Sequence, residues 1–198
     1  MPSPIGHALA GVLTAWIADV IPGQRAWRSP PPTASWLDRA GDGLTIACAA
    51  LAAAPDIDLL FAGHRTVTHS LGAVMLVGVV VGLMAARSGR PALRIALMCA
   101  AAYASHLLLD WMAVDQTFPQ GLQALWPLSH RWYISGWNLF GQTERRRIFT
   151  RAVMKLNAVT IAQELVILAP FLAAAWLIRV KTLARLTTEV PCRHHAPQ

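Results

Sequence analysis

The stretch Ser105-His106-Leu107-Leu108-Leu109-Asp110 sets an imidazole and a carboxylate four residues apart inside a long apolar run. On a helix that spacing stacks the two side chains on one face, one turn apart. So arranged, they can share a cation, or the carboxylate can orient the histidine that holds one. A second element, Pro55-Asp56-Ile57-Asp58, offers two carboxylates just after a proline that must interrupt a helix. Two buried carboxylates need a cation, a proton or hydrogen-bond donors; a cap on a short helix over 59–61 would account for Asp58 but not for both. A third, His64-Arg65-Thr66-Val67-Thr68-His69-Ser70, carries two histidines five apart with hydroxyls between them. That spacing does not fit one face of a regular helix, so the pair straddles a loop and a helix start, with Ser70 or Thr68 as the N-cap.

These groups lie inside or at the ends of apolar runs, where ionisable side chains are expensive and therefore mark function. Apolar residues make up 55% of the chain and charged ones only 14%, and the apolar residues gather in blocks. That composition is expected of an integral membrane protein. Runs able to cross about 30 Å of hydrocarbon are read at 5–21, 70–86, 93–111 and 158–178, with a fifth, 44–61, interrupted. The expected fold is all-α: a polytopic transmembrane bundle of four to five membrane segments, one of them Pro-broken or re-entrant. A break of that kind survives at membrane depth only where protein or a polar cavity surrounds it. The first run has no basic residue before it, carries His7 and Asp19 and lacks a small-x-small cleavage site, so it is read as a mature helix rather than a signal peptide.

The 198 residues leave room for one membrane-embedded domain, with the motifs over 4–134 and an interfacial helix, a last transmembrane helix and a basic tail over 135–198. Loop 22–43, with Pro30, Pro31 and Pro32 in a row, is read as a non-helical linker. Thr143 is the expected N-cap of the helix lying on the headgroups, which would carry Ile148, Val153 and Leu156 opposite its arginines. The net charge of +7 flanks the apolar runs, which suits anionic lipid headgroups as partners and argues against direct nucleic-acid binding. Cys48, Cys99 and Cys192 have neither disulfide-framework nor CxxC spacing. If the basic stretches 22–43, 87–94 and 179–193 face the cytoplasm and 44–61 crosses, His7, Asp56, Asp58, His64, His69, His106 and Asp110 all fall on the outer side. The cluster Arg145, Arg146, Arg147, Arg151 and Lys155 runs against that orientation.

The ordered set SPIGHALAG, APDID, HRTVTHSLG, SHLLLDWM and WPLSHRWY resembles the family of inner-membrane-associated metal-dependent hydrolases described as LexA-regulated or LexA-binding. The resemblance runs from about residue 4 to 134 and implies a bacterial inner-membrane protein with a metal-dependent hydrolytic site. His7, Asp56, Asp58, His64, His69, His106 and Asp110 fall on matching positions. Ile5 and Gly6 depart from the family's Thr before His. His130, His194, His195 and Glu164 draw no support from it; Glu164, an acid in the last apolar run, is read as a packing or proton-linked group.

The expected activity is hydrolysis of a phosphoester or lipid-type ester at the membrane surface. One or two divalent cations there would lower the pKa of a bound water and polarise the ester. His64, His69, His106 and Asp110 are the expected metal ligands, with His7 added through the resemblance. Asp56 or Asp58 would be the base or a bridging ligand, and Arg65 would stabilise anionic charge on the substrate. Histidine and carboxylate without thiolate suit Zn²⁺ first, and Mn²⁺, Fe²⁺ or Mg²⁺ as well. The competing classes are a cation or proton relay, against which the lack of an inverted repeat counts, and a non-catalytic membrane protein whose metal only ties helices together.

Overall fold

The computed structural model describes residues 1–21, 41–60 and 65–188. Most of the proline-rich loop, together with His64, Cys192, His194 and His195, therefore lies outside the described residues. Five α-helices are described: α1 (Pro4–Val20), α2 (Gly43–Ala53), α3 (Leu71–Arg87), α4 (Ala92–Met112) and α5 (Arg151–Thr188).

Local chemistry sets their ends. Ser3 caps α1 by accepting the Gly6 N–H at 3.1 Å, ahead of a proline in the first turn. Asp42 and Thr45 form a reciprocal capping box at α2. As expected, Pro55 stops that helix, and the chain tightens into a 3₁₀ turn over Ala54–Leu60. Ser70 caps α3 by accepting the Ala73 N–H at 3.1 Å, as one of the two expected caps, and Gly89 at φ +65° ends the run beyond Arg87.

α1 runs antiparallel to α4. His7 meets Asp110 at one end, and at the other Arg94 donates to the Ala18 and Ile21 carbonyls at 2.8 and 3.3 Å. α5 runs parallel to α1, tied by Ser3 to Glu164 and by Arg179 to Asp19 at 2.8 Å. Between α1 and α4, Leu44 and Cys48 of α2 join a buried cluster with Ala15, Ile95, Met98 and Cys99. α3 lies against α4 through Gly78 and Gly82, where a Cβ would come 3.3 Å from Ala100 Cβ and 3.1 Å from Ala96 Cβ. Small residues four apart let two helices approach closely where lipid supplies no hydrophobic drive for association. The outer face of α3 leaves Met75, Leu76, Val79, Leu83 and Met84 exposed.

Two expectations are corrected. Among the described residues, only α4 and the Arg151–Lys181 part of α5 are long and apolar enough to cross a membrane, rather than four to five segments. α1 and α3 are apolar but stop at 17 residues each, because their caps lie where the apolar runs end. The separate interfacial helix does not form. The Thr143 N–H bonds the Met1 carbonyl, residues 146–149 turn, and from Arg151 one helix of 38 residues runs on into the last apolar segment. Nothing between Arg151 and Pro170 breaks a helix, so the chain has no reason to stop there. Between α4 and α5 the chain is irregular, with isolated bridges Ala113–Phe140 and Leu122–Tyr133, and it buries Phe140 and Leu122 over one end of the bundle.

The close α3–α4 contact yields a prediction. Gly82→Leu should lower the stability of the purified protein by about 1–3 kcal/mol through overpacking, read as a lower thermal unfolding midpoint in lipid nanodiscs, whereas Met75→Leu on the exposed face should leave it unchanged.

Candidate metal centre

All the chemistry gathers at one end of the bundle, where α1 and α3 begin and α2 and α4 finish. His106 points Nδ1 at the Ala52 carbonyl, 2.8 Å away. A carbonyl only accepts, so Nδ1 carries the hydrogen and the Nε2 of the neutral ring is a bare lone pair. His69 points Nδ1 at Asp58 Oδ2, 3.1 Å away, which makes Nε2 the unprotonated nitrogen of its neutral ring as well. The two Nε2 atoms face each other at 3.0 Å, and Asp110 Oδ2 lies 3.4 Å from the first and 3.3 Å from the second. Three acceptors thus converge with no hydrogen to separate them when both rings are neutral. A cation among them relieves that repulsion. A tetrahedral ion bound at about 2.0–2.1 Å sets its ligands roughly 3.3 Å apart, close to the observed spacing.

A second group overlaps the first. His7, fully buried, stacks on His106 with ring centroids 3.7 Å apart and planes 18° from parallel. Its Nε2 is 3.5 Å from Asp110 Oδ1, and neither ring nitrogen has a hydrogen-bond partner among the described residues. Asp56 Oδ1 lies 3.8 Å from His106 Nε2 and 4.0 Å from His69 Nε2. His69–His106–Asp110 and His7–Asp56–His106 each bring their ligand atoms within 4.8 Å of one another. Three imidazoles with no solvent exposure would be a poor use of a membrane protein's interior if nothing held them. Burial pulls His69, which precedes α3, below the ordinary histidine range, so its ring is held neutral and able to ligate.

The 3₁₀ turn has a direct hand in this. In that pattern the donor to the Ala52 carbonyl would be the nitrogen of Pro55, which carries no hydrogen, and the carbonyl is left to receive His106. Among the described residues Asp58 accepts from the Arg65 N–H at 3.1 Å and from the Thr68 hydroxyl, which aims it at His69; the end of the short helix it was expected to cap lies outside the described residues. Arg65 adopts a left-handed backbone at φ +64° and pairs with Asp115, its guanidinium 5.9 Å from the Trp132 ring centroid. The charge expected to serve a substrate is thus largely answered by Asp115. His130 is exposed and stands apart from the cluster.

Four contributors escaped sequence reasoning in these roles: the Ala52 carbonyl, Asp115, Arg145 and Glu164. Arg145 Nη2 lies 3.3 Å from Asp56 Oδ1. Glu164, almost fully buried in α5, accepts the Ser3 N–H at 2.6 Å and the Ser3 hydroxyl, setting a negative charge at the positive end of α1 one turn from His7. Gly6 makes room for it, since a Cβ there would come 2.5 Å from Glu164 Oε2. The only hint in the sequence was an acid inside an apolar run.

An all-helical protein with apolar helices and a buried histidine–carboxylate cluster at the helix ends is a membrane protein with a polar centre. The chain belongs to the YdjM inner membrane protein family, whose model matches residues 1–185. That agrees with the inner-membrane family expected from the motifs. Neither a curated protein nor a solved structure gives a match.

Glu164→Ala removes the acceptor for a buried N–H and hydroxyl and should cost about 1–3 kcal/mol. Thermal unfolding should register the loss, while Glu144→Ala, on the exposed turn, should leave stability near that of the parent.

Proposed function

We propose that this protein is a multi-pass inner-membrane hydrolase that uses a divalent cation held by His69, His106 and Asp110, with His7 beside the ion and Asp56 as the base. The observation that carries the reading is the pair of facing Nε2 atoms at 3.0 Å with Asp110 beside both. Each ring's other nitrogen has its own acceptor, the usual way a protein fixes a ligating histidine. Zn²⁺ suits the donors, and Mn²⁺, Fe²⁺ or Mg²⁺ remain open as ions. When bound, such an ion supplies Lewis acidity toward an ester or phosphoryl oxygen and lowers the pKa of a water. Asp56, at the edge of the cluster, is the residue suited to take a proton; Asp58 and the Ala52 carbonyl orient the rings.

The end of the bundle opposite the cluster carries Arg87, Arg90, Arg94, Arg179 and Lys181, which supports a cytoplasmic assignment for that end and an outer, periplasmic one for the site. LexA regulation rests on the resemblance alone, and an outer site would give a cytoplasmic repressor nothing to touch. The same facing nitrogens could share a proton, which keeps a proton relay as the second reading.

Metal content by mass spectrometry separates the two. The purified parent should hold near-stoichiometric metal, and a variant carrying both His106→Ala and Asp110→Ala should hold none; a folded parent that takes up no Zn²⁺ or Mn²⁺ would favour the relay. Asp58→Asn should weaken metal binding roughly 10–100-fold, and Asp56→Asn should spare the metal but abolish ester hydrolysis. Protons compete for the same nitrogens. Because burial depresses the His69 value, its neutral, ligating form persists to lower pH than an ordinary histidine's, so His69→Ala should make metal release less steep at the acid end of the titration. Dialysis against a weak chelator at stepped pH measures that release.

A further inference from the structure

Beside the histidine–aspartate cluster lies a cavity of about 350 Å³ whose wall includes Arg65, Arg145, Arg146, Thr117, Gln142 and Thr143. From this cavity we infer that the protein has an anion subsite for a phosphoryl group, with Arg145 and Arg146 as its binding residues; the inference rests on the metal-site reading and names the substrate class as phosphate esters with a compact polar head.

Charge favours an anion there. Of the acidic groups in the wall, Asp115 is committed to Arg65 and to the Gly121 and Thr117 N–H groups at 2.7 and 2.9 Å, and Glu144 accepts the Arg146 N–H at 2.7 Å. Arg145 spends one contact on Asp56 Oδ1 at 3.3 Å, with its side chain still 32% exposed. A guanidinium has five N–H donors in a planar fork, so donors remain for a second oxyanion. Arg146 is exposed, and its guanidinium makes no ion pair among the described residues. Thr117, Thr143 and Gln142 add neutral hydrogen-bonding groups.

Position favours a substrate rather than a stray ion. Arg145 is common to the cavity and to the cluster, since Asp56, which it touches, lies 3.8 Å from His106 Nε2. A phosphoryl oxygen held by Arg145 would therefore lie next to the group suited to take a proton. The volume is at the small end of ligand sites, which run about 300–1,000 Å³, too little for acyl chains and enough for a head group. The phosphate could belong to a lipid whose chains stay in the bilayer or to a soluble ester; the recognition chemistry is the same. The basic turn that conflicted with the charge-based orientation thereby gains a role unrelated to topology.

The test is isothermal titration of inorganic phosphate into the full chain, Zn²⁺-loaded in phosphatidylcholine nanodiscs, with metal content read on the same samples. Arg145→Gln and Arg146→Gln should each weaken binding, by about tenfold for the charge-assisted pair lost at Arg145, with metal unchanged. Arg87→Gln, at the opposite end, should bind as the parent does. Arg146→Gln guards against misfolding, because that exposed guanidinium pairs with no acid among the described residues. Discs containing phosphatidic acid distinguish the sources: a weakened phosphate titration identifies a lipid headgroup, an unchanged one a soluble ester, and both uphold the subsite. A parent that binds no phosphate, or Arg145 and Arg146 variants that match Arg87→Gln, overturns it. Absence of metal alone sinks the hydrolase reading, while Arg145-dependent binding by the metal-free chain would still uphold the anion site.

Discussion

The contact on which the rest depends is the meeting of two imidazole nitrogens and a carboxylate at a buried site. Left to themselves, His69 Nε2, His106 Nε2 and Asp110 Oδ2 would repel, and the side chains would turn away. They are held by what lies behind them: Ala52 behind His106, Asp58 behind His69, and the stacked ring of His7 over His106. Each support comes from a different element, so the repulsion is spread over α1, α2 with its 3₁₀ turn, the loop before α3, and α4. Backing of this kind narrows the arrangements open to the two rings, because a slip of either leaves its buried Nδ1 without an acceptor.

Helix ends are where such a network is affordable. A helix interior has no free backbone carbonyl to offer, yet the break at Pro55 frees Ala52, and the starts of α1 and α3 bring Ser3 and Ser70 as caps. The long axis of the bundle is meanwhile held by small residues and by a few ion pairs, among them Arg179 with Asp19. Rigidity in the bundle and polarity at its end are thus separate devices, and the irregular segment between α4 and α5 closes over the second without disturbing the first.

Much of this was legible along the chain. The apolar runs at 5–21, 70–86 and 93–111 became helices α1, α3 and α4 within a residue of their expected limits, since an unbroken apolar block bounded by caps and turn residues is visible in composition alone. Pro55 and Ser70 acted as read because their effects are local: a missing N–H and a side-chain oxygen next to a helix start. Span number and the fate of 143–157 were not legible. Whether an apolar run crosses a bilayer depends on helix length after capping, and whether a basic stretch lies on the surface or continues the next helix depends on what it docks against.

Sequence by itself determined the class of the protein and the chemical vocabulary of its centre, because hydropathy and side-chain type are properties of single residues and short spacings. Partner choice was decided only by the tertiary structure. Ser3 and Glu164 are 161 positions apart, His69 and His106 37, Asp56 and Arg145 89. No local preference links them; antiparallel and parallel docking of the helices does. The same folding set Asp58 behind His69 and tied Arg65 to Asp115, since which of several nearby donors a carboxylate receives is settled by distance, and distance is set by how the helices pack.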